Sequence, residues 1–125
     1  MSRNNHYAFY GTLRQRMENY HVYENDLKYL ATTELSGFRM YSLAEYPYVI
    51  RTENPDHKIT VDLFRITSDQ TEQTIHEMEI EAGYIFSDVL VDNIKFGIYL
   101  FETAGSSDPE IKGGDWIGFR KGSHF

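Results

Sequence analysis

The chain of 125 residues carries 12 Lys and Arg against 19 Asp and Glu, a formal net charge of −7, and it contains no cysteine. This length predicts a single domain over residues 1–125, and the missing cysteine excludes disulfides, a cysteine nucleophile and cysteine-ligated metals. The acidic balance and the scattered positions of Lys and Arg disfavour nucleic acid as a partner.

The sequence also gives no sign of membrane association or of a metal site. Met1 to His6 lack the apolar segment of a signal peptide, and no run reaches the roughly 20 apolar residues of a membrane span. We therefore expect a cytoplasmic protein without a membrane partner. The 5 histidines show no metal-binding spacing, so no metal site is expected. The oligomeric state stays open.

The first predicted element ends in a bend that can bind an anion. Tyr7 to Tyr10 is an aromatic, β-favouring run, and Gly11-Thr12 then bends the chain. Main-chain amides released from a sheet at such a bend can point at a carboxylate, so this bend is a candidate cradle for a substrate carboxylate. The alternative is that Gly11 only turns the chain toward segment 14–30, whose aromatic and leucine spacing predicts an amphipathic helix, at least over the second half of the segment.

The middle of the chain predicts strands around a proline. Segments 31–35 and 38–43 are predicted strands separated by Ser36-Gly37. Pro47 lacks a ladder donor, so segment 45–50 is predicted to be an edge strand or a loop beside the sheet. Segment 58–66 carries apolar residues on both faces, which predicts a central strand.

A second helix is predicted from Asp69 to about Glu81, followed by strands over segments 84–91 and 94–103. Asp69 and Glu72 have the spacing of a capping box, and Gly83 suits a left-handed C-terminal cap.

The second helix places one of its glutamates on the apolar face. A helix turns by about 100° per residue. Among Glu77, Glu79 and Glu81, only Glu79 therefore shares the face of Ile75 and Met78. Burial would disfavour the charged form of Glu79 and raise its affinity for a proton, as suits a group that moves protons near neutral pH. The alternative is a boundary glutamate that is solvated or paired with a lysine.

Several short motifs, taken in order, resemble one known family. They are Phe9-Tyr10-Gly11-Thr12-Leu13-Arg14, Gly37-Phe38 before Tyr46-Pro47, Leu63-Phe64-Arg65-Ile66, a short helix ending in glutamate, glycine and tyrosine, and Ile111-Lys112-Gly113-Gly114-Asp115-Trp116. Over about the whole chain they resemble the γ-glutamylcyclotransferase-like family in its small bacterial form. The resemblance implies an α+β fold, a small mixed β-barrel with two main helices and a pocket at one end.

The resemblance also implies an activity and a set of site residues. It implies a cofactor-independent enzyme that releases 5-oxoproline and an amine or amino acid from a small γ-glutamyl compound. Glu79 matches the catalytic glutamate of the family through its spacing from Ile75 and Tyr84. The residues implied to bind substrate are Tyr10, Gly11, Thr12, Leu13, Tyr84 and Tyr99. The bend would hold either the substrate α-carboxylate or a developing oxyanion, and Tyr99 is equally compatible with core packing.

A few positions depart from the pattern of the family. Val61-Asp62 replaces a usual Gly-Glu pair, His76 stands where aspartate is common, and Phe86 stands where arginine is common. These replacements keep a second hypothesis open, a non-catalytic small-molecule-binding or sensor protein on the same fold. The sequence does not specify which γ-glutamyl compound is the substrate.

Overall fold

Strands and helices alternate irregularly along residues 5–15 and 17–122, which the computed structural model describes. The strands are β1 (His6–Phe9), β2 (Leu27–Ser36), β3 (Phe38–Ser42), β4 (Pro47–Arg51), β5 (Lys58–Ile66), β6 (Ile85–Val91), β7 (Ile94–Leu100) and β8 (Glu110–Ile111). The helices are α1 (Glu18–Tyr23), α2 (Asp69–Glu81) and α3 (Trp116–Gly122), and a 3-10 turn, Glu24–Asp26, follows α1.

The strands form two sheets, which confirms a mixed α+β fold. The larger sheet has 5 strands in the order β2-β5-β1-β7-β6, and the smaller has 3 in the order β4-β3-β8. β1 runs antiparallel to β5 and parallel to β7. As predicted, β5 is central, and β4, which begins at Pro47, is an edge strand.

Neither sheet is closed, so the predicted β-barrel is not supported and is corrected to two open sheets. In the described residues the larger sheet ends at β2 and β6, and the smaller ends at β4 and β8. Gly37, with φ of 85°, turns the chain after β2, and β3 then pairs with β4 and β8 instead of extending the larger sheet. The two sheets share one apolar core, in which Tyr48 and Ile59 are fully buried.

The predicted helix over segment 14–30 is shorter than expected. Among the described residues of this segment only Glu18–Tyr23 is α-helical. The second half, where the helix is expected most, is not α-helical beyond Tyr23: Leu27 already begins β2, where it lies opposite Ile66 of β5. Pairing with a central strand outweighs weak helical periodicity, since it supplies ladder hydrogen bonds and contacts such as Tyr29 against Phe64, whose ring centroids are 5.8 Å apart. The prediction of two main helices is therefore corrected to one long helix, α2, and two short ones.

Helix α2 has the predicted bounds but a different N-terminal cap. Ser68 is the N-cap, and its hydroxyl accepts from the Thr71 amide at 3.2 Å. Glu72 does not complete a capping box; it is buried and accepts from the Tyr7 hydroxyl at 2.6 Å. Gly83 has φ of 100°, which is the predicted left-handed cap. No helix in the described part of the chain is long and apolar enough to cross a membrane.

Candidate active site

The bend after β1 carries main-chain amides that have no partner in the described part of the chain. The amides of Gly11, Thr12 and Leu13 donate to no acceptor among residues 5–15 and 17–122. The Thr12 carbonyl, in contrast, accepts from the amides of Asn19 and Tyr20 at 3.0 and 3.1 Å, and Thr12 Oγ1 accepts from Asn19 Nδ2 at 2.7 Å. The start of α1 therefore fixes the bend through the carbonyl and hydroxyl of Thr12, without using the amides of Gly11, Thr12 and Leu13.

A buried acid on β5 holds the segment that follows the bend. Asp62 Oδ2 accepts from the Gln15 amide at 2.9 Å, and Oδ1 accepts from the Thr32 hydroxyl at 2.7 Å. Arg14 Nε lies 3.4 Å from Asp62 Oδ2, and Arg14 Nη1 donates to Asp115 Oδ1 at 2.8 Å. The sequence analysis identifies Asp62 only as part of a replacement in the family pattern and does not predict its anchoring role. An acid inside a largely apolar strand is the sequence signal that could have indicated this role.

The bend also makes a close contact with the start of β4. A Cβ on Gly11 would lie 2.9 Å from Pro47 Cδ, which is too close for any side chain. The Pro47 carbonyl accepts from the Tyr84 hydroxyl at 2.6 Å. Gly11 is therefore needed for this close approach, and Pro47 is held between the bend and Tyr84.

Among Glu77, Glu79 and Glu81, only Glu79 is not exposed, in agreement with its predicted place on the apolar face of α2. Ile75 is buried one turn before it, whereas Glu77 and Glu81 are exposed. Burial raises the pKa of the Glu79 carboxyl from 4.5 to about 7. Its carboxyl has no hydrogen-bond or ion-pair partner within the part of the chain that the structure describes, so nothing offsets its lost hydration. Both protonation states are then populated at neutral pH.

Tyrosines form much of the remaining wall. The Tyr10 hydroxyl donates to the Tyr99 carbonyl at 2.5 Å. Burial, then the nearby Tyr84 and Glu79, raises the pKa of Tyr10, and burial followed by Glu79 raises the pKa of Tyr84. Both hydroxyls therefore remain protonated donors at neutral pH and are unsuited to act as bases.

These features surround one cavity of about 670 Å³. It is lined by every residue predicted for the site, namely Tyr10, Gly11, Thr12, Leu13, Glu79, Tyr84 and Tyr99. The further charged residues of its lining are Glu18, Glu45 and Arg120. Among the described residues, no group of 3 or more His, Asp and Glu is arranged to hold a metal ion. The structure thus brings the predicted cradle and the predicted acid to one cavity, while their roles stay predictions.

The departures from the family pattern lie outside the lining of this cavity. Val61 is buried in the core, and Asp62 accepts from the Gln15 amide in the segment that follows the bend. His76 Nδ1 is 2.9 Å from the Tyr99 hydroxyl, and the Phe86 ring packs on Tyr99 with centroids 5.3 Å apart. His76 and Phe86 thus contact Tyr99 of the cavity wall without lining the cavity themselves.

We expect Gly11→Ala to destabilise the protein, because the new methyl group must displace Pro47 from the bend. Overpacking of this kind lowers the free energy of unfolding by about 1 to 3 kcal/mol, measurable by urea denaturation. Gly113→Ala is the matched control, because a Cβ there meets nothing within 4 Å. Equal stability of the two variants would contradict the close contact.

We expect Glu79 to make stability depend on pH. The unfolded carboxyl titrates near 4.5 and the folded one at about 7, so the folded state binds more protons between these values and stability falls as pH rises through them. Glu79→Gln, which mimics the protonated form, should match the parent near pH 4 and exceed it at pH 8 by roughly 1 to 3 kcal/mol. Urea denaturation at both pH values measures this. A difference that does not grow with pH would contradict a desolvated Glu79.

The structure is an α+β fold in which a desolvated acid and the bend after β1 line a single cavity. A family model described as gamma-glutamyl cyclotransferase, AIG2-like, matches residues 7–118. The chain belongs to this family. Comparison with curated proteins gives no match.

Solved structures share the fold. An uncharacterized protein from Pyrococcus horikoshii superposes with a TM-score of 0.78 and 26% identity, covering 95% of this chain and 95% of that one. The protein ytfP from Escherichia coli superposes with a TM-score of 0.73 and 18% identity, covering 92% of this chain and 98% of that one. An aig2-like protein from Mus musculus superposes with a TM-score of 0.68 and 17% identity, covering 89% of this chain and 88% of that one. The last two likenesses concern the fold alone.

Proposed function

We propose that the protein is a cofactor-independent γ-glutamylcyclotransferase-type enzyme that converts a γ-glutamyl compound into 5-oxoproline and a free amine or amino acid. One observation carries the proposal. The Glu79 carboxyl, with its pKa raised to about 7, lines the same cavity as Gly11, Thr12 and Leu13, whose amides have no acceptor among the described residues. A proton carrier and an anion cradle are the two groups this cyclisation requires.

The substrate supplies its own nucleophile. Its α-amine attacks its γ-amide carbon, a new C–N bond closes the five-membered ring, and the bond to the leaving nitrogen breaks. The cavity holds the γ-glutamyl chain curled, and this orientation lowers the barrier by several kcal/mol, within the roughly 7 to 11 kcal/mol that intramolecular geometry supplies at best. No nucleophilic side chain is required.

Glu79 carries the protons. As carboxylate it accepts a proton from the attacking amine, and as carboxylic acid it returns that proton to the leaving nitrogen, so it ends the cycle unchanged. The bend amides bind the α-carboxylate or stabilise the oxyanion that develops on the γ-carbonyl. Tyr10, Tyr84 and Tyr99 shape the wall around the curled chain.

The test is incubation of the protein with a panel of γ-glutamyl amides and γ-glutamyl amino acids, followed by quantification of 5-oxoproline and of the released amine. The proposal expects both products in equal amounts from at least one compound. Tight binding of panel members without product would support a non-catalytic binding protein instead. That alternative depends on the departures at residues 61, 62, 76 and 86, and none of them lines the cavity.

We expect kcat/KM to rise with pH and to level off above about pH 7. Glu79 must start as carboxylate, and its pKa is raised to about 7, so the active fraction falls about tenfold for each pH unit below this value. Initial rates of 5-oxoproline formation between pH 5 and pH 9 measure the profile. A profile without a bend between pH 6 and pH 8 would remove Glu79 from the proton transfer.

A further inference from the structure

A second cavity, of about 450 Å³, lies between helix α2 and the strands β1, β6 and β7, which all contribute to its lining. Its size is typical of a site for a small organic molecule. It shares no lining residue with the first cavity. His76 and Phe86, two of the positions that depart from the family pattern, both line it. The second cavity is therefore a separate site that the proposed cyclisation does not use.

Two aromatic side chains meet over the sheet in this cavity. Tyr7 lies opposite Gly97 in the pairing of β1 with β7, and the ring centroids of Tyr7 and Phe86 are 6.2 Å apart. A Cβ on Gly97 would lie 2.6 Å from Phe86 Cε1 and 3.1 Å from Tyr7 Cδ2, so glycine is needed for both rings to lie there. Phe86 is 43% exposed. Its ring therefore offers an apolar surface on which the ring of a ligand can stack.

Opposite charges lie beside these rings on the same face of the sheet. Asp88 is paired with Gly97, and Lys95 precedes Gly97 by two residues on β7. The Cα atoms of such diagonal neighbours lie roughly 7 to 8 Å apart. The Asp88 carboxylate is exposed and has no hydrogen bond or ion pair within residues 5–15 and 17–122. The Lys95 ammonium has several N–H donors, so it can bind an anion beside its other contacts.

We propose that the second cavity binds a free α-amino acid with an aromatic side chain. The ammonium of the ligand lies beside Asp88, its carboxylate lies beside Lys95, and its ring stacks on Phe86. An α-amino acid carries its two charges close together, so one molecule can contact both side chains. The inference goes beyond the proposed function and does not depend on it, because the two cavities have no lining residue in common.

The test measures calorimetric dissociation constants of the full chain for L-phenylalanine and three relatives that each lack one feature. We expect 3-phenylpropionate, which lacks the ammonium, and 2-phenylethylamine, which lacks the carboxylate, to bind about threefold to fivefold more weakly than L-phenylalanine. L-alanine, which lacks the ring, should bind weaker than L-phenylalanine by about tenfold or more. Equal affinities for all four compounds, or no saturable binding of L-phenylalanine, would overturn the inference.

Variants assign each charge of the ligand to one side chain. Asp88→Asn should weaken L-phenylalanine to the level of 3-phenylpropionate without weakening 3-phenylpropionate itself. Lys95→Gln should weaken both of these carboxylates but not 2-phenylethylamine. Asp92→Asn is the matched control, because it removes the same charge as Asp88→Asn from an exposed turn outside the cavity, and it should bind L-phenylalanine as the parent does. Parent-like binding of L-phenylalanine by Asp88→Asn would overturn the assignment.

Amide NMR shifts show which cavity the amino acid occupies. We expect the largest shifts on addition of L-phenylalanine at residues 86–88 and 95–97, which carry the second cavity. Largest shifts at residues 11–13 would place the amino acid in the first cavity and would overturn the inference. Failure to form 5-oxoproline from any γ-glutamyl compound would refute the proposed function but would leave these binding results unchanged.

Discussion

Glu79→Gln is expected to lower kcat for 5-oxoproline formation by about 10² to 10⁴, the contribution of a positioned acid–base group. Glutamine keeps the size and hydrogen-bonding reach of the protonated carboxyl but can neither accept nor return a proton. The fold should persist, because the Glu79 carboxyl has no partner in the described part of the chain that the change would remove. The variant should therefore lose activity while gaining stability at pH 8, a combination that damage to the fold would not produce.

Glu81→Gln is the matched control for this loss of activity. It makes the same chemical change in the same helix, on an exposed residue outside the cavity lining. We expect its kcat to equal that of the parent. Parent-like turnover by Glu79→Gln, on a substrate that the parent cyclises, would end the assignment of Glu79 as the proton carrier.

Asp62→Ala is expected to have the largest effect on stability. It removes the acceptor of the Gln15 amide and of the Thr32 hydroxyl and leaves Arg14 Nε without its buried counter-charge. Breaking a buried ion pair costs about 3 to 5 kcal/mol. We expect the lower end of this range, because Arg14 keeps its hydrogen bond to Asp115. The measurement is the free energy of unfolding in urea at pH 7.

The loss of Asp62 should also weaken substrate binding, because the same carboxylate holds the segment that follows the bend. Asp56→Ala provides the control: Asp56 is an exposed acid in a turn, and its change should leave stability within about 0.5 kcal/mol of the parent. Asp62→Asn keeps an acceptor oxygen for Gln15 and should be less harmful than Asp62→Ala. Equal stability of Asp62→Ala and the parent would contradict the anchoring role.

The local signals in the sequence predicted the parts of the site that depend on local chemistry. A β-favouring run followed by Gly11 predicted where β1 ends. Helical spacing from Ile75 predicted that Glu79, and not Glu77 or Glu81, lies on the apolar face of α2. These inferences need only the period of a helix and the conformational freedom of glycine. The structure places both features in one cavity, which the sequence alone could not determine.

The features that the sequence did not predict depend on distant pairing. Leu27 to Leu30 have a helical pattern but belong to β2, because they pair with the central strand β5, in which Ile66 lies opposite Leu27 and Phe64 lies opposite Tyr29. Whether a sheet closes into a barrel depends on whether its two edge strands pair with each other. Here the chain turns at Gly37, and β3 belongs to a second sheet. The role of Asp62 likewise follows from contacts with Gln15 and Arg14, which lie far from it in the sequence.

The central claim is that the bend amides and Glu79 act on the same γ-glutamyl group, and one measurement tests it most directly. A crystal structure of the Glu79→Gln variant with a bound γ-glutamyl amide would show where each substrate atom lies. We predict the α-carboxylate or the γ-carbonyl oxygen within hydrogen-bond distance of the amides of Gly11, Thr12 and Leu13, and the α-amine beside residue 79. A γ-glutamyl group bound outside this cavity, or bound within it with its α-amine turned away from residue 79, would contradict the claim.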